Sequence, residues 1–455
     1  MIFSLYYPAT IHKNTTYPYG NQQSDFITLP KLNLAKKIML LFVIALIIVV
    51  VYKSYNLLSS NPTLPSNYVY SGINASKVSR DNNNFAFKLY SKLTNESNES
   101  DNIFFSPFSI YTALSMAEQG ARGNTSRQMQ TVLGLPNNST ATNSGFESII
   151  EGLNSQKGIT LSIADSIWVE KIFTINPGFS NTLSKYYGAE VYPADFLNDA
   201  SGETTNINNW VSSKTDQKIM NLIPAGVLTK NTTLVLADAV YFKGAWQIQF
   251  NKDNTTNETF YAPSQQVQVP MMHLTTGALY YANNNLQALE LNYRNSNLSM
   301  LILLPAQGYS LSQMQSNLSA PELDNITSGL RSDISVAISL PRYNMTEAEE
   351  LNNALKSLGM TNAFDSTSAN FSGMGNYSAY PNAVLYITHV LHKAFIQVNE
   401  QGTQAAAATA VGGAVPGVVI LPIMFNADHP FVFFIIDKQS GTILFMGRLS
   451  NPTNS

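Results

Sequence analysis

The sequence predicts an α+β fold with one long functional loop, on three observations. Strand-like runs and helical stripes alternate through the middle of the chain with no internal repeat. Several strand-like runs are apolar throughout, the pattern of burial on both faces. Finally, Glu400 to Pro430 joins two strand-like segments, Ala394-Phe395-Ile396-Gln397-Val398 and Phe431 to Ile436, with no charged residue between Glu400 and Asp428. Connections in compact domains have a median of about 4–6 residues, so one this long is either functional or disordered. Its small first half, Gly402 to Ala410, also fits a flexible Ala/Gly linker, and composition alone leaves both readings open.

Composition narrows the class. Hydrophobic residues make up 44% of the 455, enough for a sizeable core. Charged residues make up 12%, about half the usual share, with Asn, Ser and Thr in their place. The net charge of −3 gives no sign of a nucleic-acid surface. There is no cysteine, which removes disulfides, thiol nucleophiles and thiolate metal sites. Asn-X-Ser/Thr sequons number roughly sixteen, among them Asn124-Thr125-Ser126, Asn231-Thr232-Thr233 and Asn325-Ile326-Thr327. With the low charge they favour an extracellular glycoprotein surface.

In chain order, residues 1–37 form a polar tail ending in Lys31, Lys36 and Lys37. Residues 38–53 follow, and Ile38 to Tyr52 is apolar apart from the tyrosine hydroxyl. As a helix this run rises about 22 Å against a bilayer core of about 30 Å. Leu34, Ala35 and snorkelling Lys37 and Lys53 close most of the gap. The segment reads as a transmembrane signal anchor. A cleaved signal sequence is the alternative, opposed by the long region ahead of it and the lack of a small-x-small cleavage site. A buried core helix would show a polar face. The lysines lie on the amino side, which puts the tail in the cytoplasm and the rest outside. The expectation is therefore membrane anchoring through 38–53 with the folded domain extracellular, or secretion if the segment is cleaved. Residues 54–78, with Asn61-Pro62-Thr63-Leu64-Pro65, read as a flexible linker, and 79–455 as the domain.

The domain opens with a helix whose stripe is Phe85, Leu89 and Leu93. Next comes Asn102-Ile103-Phe104-Phe105-Ser106-Pro107-Phe108-Ser109-Ile110, where Ser106 caps a helix starting at Pro107. Leu161 to Glu170 reads as a strand with Ile163, Asp165, Ile167 and Val169 on one face. Ile207, Trp210 and Val211 mark a helix. Leu234 to Phe242 is a strand running into Tyr241-Phe242-Lys243-Gly244-Ala245-Trp246. Leu298 to Leu304 and Ile334 to Leu340 are strands, each ended by proline. Thr346 and Glu349 form a capping box that predicts a helix with Leu351, Leu355 and Leu358 inward and Gly359 as terminator. Two strands, Phe431 to Ile436 and Thr442 to Arg448, close the chain.

These blocks resemble the serpins in the right order over about residues 80–451. The resemblance is carried by Asn102 to Ile110, Tyr241 to Trp246, the 346–374 region with Asn370-Phe371-Ser372-Gly373-Met374, the hinge-like Glu400 to Thr409, and Ala427-Asp428-His429-Pro430-Phe431. It implies a fold of three β-sheets with eight or nine helices and an exposed reactive-centre loop, a topology that periodicity does not supply. Residue by residue, it implies an ion pair of Glu400 with Arg342 at the top of the main sheet, near Trp246. It implies a cluster at the sheet centre of Asn102, Ser106, Ser109, Asp238 and His392, with Asp238 where many members have asparagine. That departure adds a charge beside His392 and could couple sheet opening to pH. Core packing is the plain alternative for each, Trp246 above all.

The resemblance further implies a suicide-substrate inhibitor of serine proteases. The cut loop inserts as a new central strand and traps the acyl-enzyme. The hinge residues Glu400, Gly402, Thr403, Ala405, Ala406, Ala407, Ala408 and Thr409 suit insertion, because a charge in a central strand would cost several kcal/mol. About a dozen new ladder bonds, at roughly 0.5–1.5 kcal/mol each, release on the order of 10 kcal/mol. By the family's usual spacing from the hinge and from Pro430, the resemblance implies a scissile bond among Val415, Pro416, Gly417, Val418 and Val419. With no Lys or Arg between Ala394 and Ile436, elastase-, subtilisin- or chymotrypsin-like targets are expected over trypsin-like ones. The competing reading is a non-inhibitory serpin serving as a membrane-tethered surface or structural protein. An enzyme is not expected, since Gly-x-Ser-x-Gly, His-Glu-x-x-His and phosphate-binding loops are missing. His389 and His392 fall on opposite faces of a strand, so no metal or other cofactor is expected. The partners implied are a target protease and the membrane, with no nucleic acid, and the chain is expected to be a monomer.

Overall fold

The computed structural model of the chain describes residues 72–136, 139–376, 383–403 and 421–454. The tail 1–37, the segment 38–53 and all but the end of the linker lie outside the described residues. So do Ala405 to Thr409 and the candidate scissile residues Val415 to Val419. Among the described residues no helix is long and apolar enough to cross a membrane.

Nine α-helices are described: α1 (Gly72–Glu96), α2 (Pro107–Gly120), α3 (Gly123–Leu133), α4 (Ser139–Asn154), α5 (Pro177–Tyr187), α6 (Phe196–Lys214), α7 (Leu311–Asn317), α8 (Ala320–Ser328) and α9 (Asn352–Ser357). The strands are β1 (Ile103–Phe105), β2 (Ile159–Glu170), β3 (Thr174–Ile175), β4 (Glu190–Ala194), β5 (Leu234–Ala245), β6 (Thr256–Ala262), β7 (Gln265–Ala282), β8 (Leu286–Asn292) and β9 (Leu298–Pro305). They continue with β10 (Arg331–Pro341), β11 (Tyr343–Glu350), β12 (Gly375–Asn376), β13 (Ile387–Val398), β14 (Gly402–Thr403), β15 (Ile423–Asn426), β16 (Phe431–Asp437) and β17 (Thr442–Leu449).

Three sheets result. The first has nine strands in the order β1-β17-β16-β9-β8-β7-β10-β15, with β6 beside β7. The second has six, β11-β13-β5-β2-β4 with β14 on β5, and the third pairs β12 with β3. The α+β class and the three-sheet, nine-helix architecture match the expectation.

The two-residue strand period explains how one strand serves two cores. On β5, Leu234, Leu236, Val240 and Phe242 face the main core. Val235, Ala237 and Ala239 face a second core beneath α6, against Phe196, Ile207 and Val211.

Two expectations need correction. The first helix starts at Gly72, and Ala75 and Val78 are already buried, so the folded unit begins ahead of Ser79. The apolar stripe of Phe85, Leu89 and Leu93 runs back through two residues that a polar, Pro-rich neighbourhood had hidden. Thr346 and Glu349 do not cap a helix. They lie in β11, opposite Phe395 and His392 of β13, and the helix after them is short, with no side-chain cap. Pairing along the β13 edge outweighs the local capping preference. Gly359 does end that turn, at φ +111.

Candidate functional site

Two clusters sit on the six-stranded sheet, one at its top and one at its centre. Both lie along the join of β13 and β5. These strands are parallel and directly hydrogen-bonded, from Ile387 opposite Leu234 up to Phe395 opposite Tyr241. Above Phe395 that ladder stops. The chain leaves β13 through a tight turn in which Asn399 and Gly402 exchange backbone hydrogen bonds of 2.9 and 3.0 Å. It then runs back as β14, antiparallel to β5, with Gly402 opposite Ala245 and Thr403 opposite Gly244. The other edge of β5 is held by β2 as far as Gly244. β14 therefore enters on the edge that β13 occupies lower down.

Glu400, in the turn, is buried while Arg342 is half-exposed, and their charged atoms stand 3.7 Å apart. That is an ion pair without a hydrogen bond. The Glu400 carboxylate also accepts from the Thr255 hydroxyl at 2.8 Å. Lys252, Thr255, Asn257, Pro270, Arg342 and Glu400 line a cleft of about 390 Å³ here. Trp246 is fully buried and stacks on Tyr293, with ring centroids 4.9 Å apart. Its indole N–H donates to the Asn399 carbonyl at 3.0 Å, and its backbone N–H to the Gln401 carbonyl at 3.1 Å. Trp246 thus packs the core and holds the hinge turn as well.

At the centre, α2 presents its N-terminus to the sheet. Ser106 caps it, accepting from the Ser109 backbone N–H at 3.2 Å and donating to the Leu444 carbonyl at 2.7 Å. The Ser106 backbone N–H donates to His392 Nε2 at 3.0 Å. An N–H can only donate, so His392 carries its proton on Nδ1 and gives it to Asp238 at 2.8 Å. The Ser109 hydroxyl lies 2.5 Å from Asp238 and 2.6 Å from Asp165. Burial, then the neighbouring Asp238, push the Asp165 pKa well above the ordinary carboxylate range. Asp165 also forms part of the wall of a cavity of about 240 Å³ between α2, α4, α5 and β2.

Hydrogen bonds join Ser106, Ser109, Asp238 and His392, whereas Asn102 lies outside this group. Its amide bonds the C-terminal segment instead, donating to the carbonyls of Asn451 and Asn454 and accepting from the N–H groups of Ser450 and Asn451. β1 intervenes and pairs with β17 of the other sheet. Asp165 is the residue that sequence reasoning passed over. It was the one charge on an apolar strand face, a signal available but unused. Thr255 and Asn399 carry no such signal, because only the fold brings them to the hinge. His389 bonds Glu350 at the sheet edge, on the face opposite His392. Among the described residues no His/Asp/Glu group is arranged to hold a metal ion.

Comparison with known proteins agrees with this geometry. A family profile described as serpin (serine protease inhibitor) matches residues 80–452. An uncharacterised serpin-like protein of Thermococcus kodakarensis is 40% identical over 374 residues, 81% of this chain and 84% of that protein. Human leukocyte elastase inhibitor is 36% identical over 386 residues, covering 83% of this chain and all of the relative. Among solved structures, human thyroxine-binding globulin with thyroxine superposes with a TM-score of 0.75 at 29% identity, over 84% of this chain and 100% of that one. Tengpin, a thermophilic serpin in its native state, gives 0.74 at 28% identity, over 82% and 93%. A match over most of the chain, on a sheet whose hinge turns back beside its own parent strand, leads to one conclusion: the chain belongs to the serpin family.

Proposed function

We propose that this chain inhibits serine proteases as a suicide substrate, trapping the acyl-enzyme when its cut loop inserts between β13 and β5. The fold alone does not decide the matter, since thyroxine-binding globulin shares it and binds thyroxine. The observation that carries the reading is the register of β14. Thr403 already pairs with Gly244 on the edge of β5 that an inserting strand would use. Extending that antiparallel ladder downward separates β13 from β5 one residue pair at a time. The following residues, Gln404 to Pro416, bring no charge into the gap. The elastase inhibitor among the relatives and the apolar loop both favour elastase-, subtilisin- or chymotrypsin-like targets.

The test is to incubate the full chain with pancreatic elastase, subtilisin, chymotrypsin and trypsin. An SDS-resistant complex with one of the first three is expected. Cleavage of the loop by every protease with full retention of protease activity would overturn the reading and leave a non-inhibitory serpin.

Residues 38–53 complete the proposal as a signal anchor holding the inhibitor at the outer membrane surface. The apolar run and the lysines before it support this. In membranes from expressing cells the chain should resist carbonate extraction and be accessible to external protease. Release by carbonate would refute the anchor.

A further inference from the structure

We propose that the cavity beside the sheet centre binds a small primary ammonium with an aromatic or alkyl tail, its charge held by Asp165. The cavity holds about 240 Å³ between α2, α4, α5 and β2. Phe108, Leu153, Leu161 and Ile163 give it apolar walls, and the exposed Asn154 and Lys214 mark its mouth. An apolar cavity of about 150 Å³ admits benzene, so a ring with a two-carbon arm fits here. Asp165 is the one carboxyl among the lining residues, and it is only partly buried, open to the cavity. Asp238, its partner across the β2–β5 ladder, is fully buried and does not line the cavity.

An imbalance of charge draws the cation. The Ser109 hydroxyl bonds both carboxyls. His392 donates to Asp238 through Nδ1, but its Nε2 accepts from the Ser106 N–H, so the ring is neutral. Among the described residues neither carboxyl is paired with a lysine or arginine. The pair therefore keeps one buried carboxylate without a cation, and burial and that charge hold the second carboxyl, Asp165, in its neutral form. The cavity's other titratable groups do not fill the gap. The Lys214 ammonium is turned to the Trp210 ring, 5.9 Å from its centroid. The Tyr187 hydroxyl donates to Asn143, and burial pushes its pKa up, so it stays neutral. An ammonium beside Asp165 supplies the missing charge. Asp165 loses its proton to solvent, and an N–H of the ligand donates to the new carboxylate. The exchange leaves the net charge of the site unchanged. Because one proton leaves as one cation enters, affinity rises about tenfold per pH unit while Asp165 is protonated in the free protein.

The probe is 2-phenylethylammonium chloride, titrated calorimetrically into the full chain at pH 5, 6 and 7 in two buffers of different ionisation enthalpy. The neutral control is 2-phenylethanol, with the same ring and arm. At pH 7 the ammonium is expected to bind at least tenfold more tightly than the alcohol, with close to one proton released. Its affinity should rise about tenfold per pH unit from pH 5. Asp165→Asn should lose at least tenfold in ammonium affinity, together with the pH slope, and keep the alcohol. Ala189→Leu fills the cavity, leaves the carboxyl pair in place, and should bind neither probe. If Asp165→Asn does not fold, the two probes and Ala189→Leu decide. Equal affinity for both probes without a pH slope would leave an apolar hole only and overturn the proposal. Ammonium binding that survives both substitutions lies elsewhere on the surface and overturns it too, as does the absence of ammonium binding at millimolar concentration. None of these readouts involves a protease, so the site can fail without touching the inhibitor reading, and the inhibitor reading can fail without touching the site.

Discussion

Asp165 and Asp238 face each other across the β2–β5 ladder, and the single Ser109 hydroxyl lies within 2.6 Å of both carboxylates. One hydroxyl has one proton and cannot donate to both. A carboxyl proton must complete the pair, and the raised pKa of Asp165 puts it there. In the unfolded chain Asp165 would lose that proton near pH 4. Above this the native state binds one proton more than the unfolded state. The stability from this site is therefore full below about pH 4 and is lost as pH rises through the folded value. Asp165→Asn keeps the shape and a hydrogen-bonding amide without needing the proton. At pH 8 its melting temperature should exceed the parent's by several degrees, at roughly 2–4 °C per kcal/mol, and the gap should close toward pH 4. Thermal unfolding at pH 4, 6 and 8 checks this, and a gap independent of pH would defeat it.

Glu347 gives a second pH dependence, nearer neutrality. It sits on the edge strand β11, and burial, then Glu349 and Asp101, push its pKa up to about 7. The sign is the same, because a raised carboxyl pKa means the native state holds a proton that the unfolded state releases. Stability from this site is present at low pH and is lost as pH rises through about 7. Glu347→Gln should flatten the decline in urea midpoint between pH 6 and pH 8. An identical slope in parent and variant would show that the group titrates normally.

Central strands of the nine-stranded sheet were legible because burial on two faces leaves uninterrupted apolar runs, as in Leu298 to Leu304 and Phe431 to Ile436. The Ser106 cap was legible because capping is local: the serine, the proline after it and the N–H it receives lie within four residues. The Thr346 and Glu349 pair misled for the same reason, since a local pattern cannot register the competing edge of β13. The position of Glu400 beside Arg342 came from the family resemblance. Its bond to Thr255 and the grip of Trp246 on Asn399 depend on contacts across the fold that no periodicity encodes. Asn102 was misassigned because a motif lists neighbours in sequence, and β1 carries Asn102 and Ser106 to different partners.

Gly402 makes the hinge turn possible. Its φ is +121, a conformation L side chains rarely adopt, and a Cβ there would lie 2.4 Å from the Gly244 carbonyl oxygen and 2.5 Å from the Trp246 nitrogen. All these neighbours are backbone, so none can swing aside. Gly402→Ala should destabilise the native state by roughly 1–3 kcal/mol and displace the turn. Because Trp246 donates to Asn399 in that turn, its emission should change in a variant in which Trp168 and Trp210 are replaced by phenylalanine. A native-like spectrum and midpoint would mean that the turn accommodates a side chain after all.

Thr403 is the first residue past the turn that pairs with β5, so it separates loop cutting from loop insertion. Adding about a dozen ladder bonds to a sheet that now lacks them should stabilise the cut chain by on the order of 10 kcal/mol. A single cut among Val415 to Val419 should therefore raise the melting temperature of the parent sharply. Thr403→Arg leaves the bond and its flanks untouched, but insertion would carry a guanidinium between β13 and β5, at a cost of several kcal/mol without a partner. The first step of insertion slows while deacylation does not. The variant should be cut at the parent rate, form little or no SDS-resistant complex, release active protease, and show a much smaller rise in melting temperature after cutting. The readouts are complex yield on gels, residual protease activity and calorimetry of the cut chains. Full complex yield from Thr403→Arg would show that the chain entering beside Gly244 is not the leading edge of insertion.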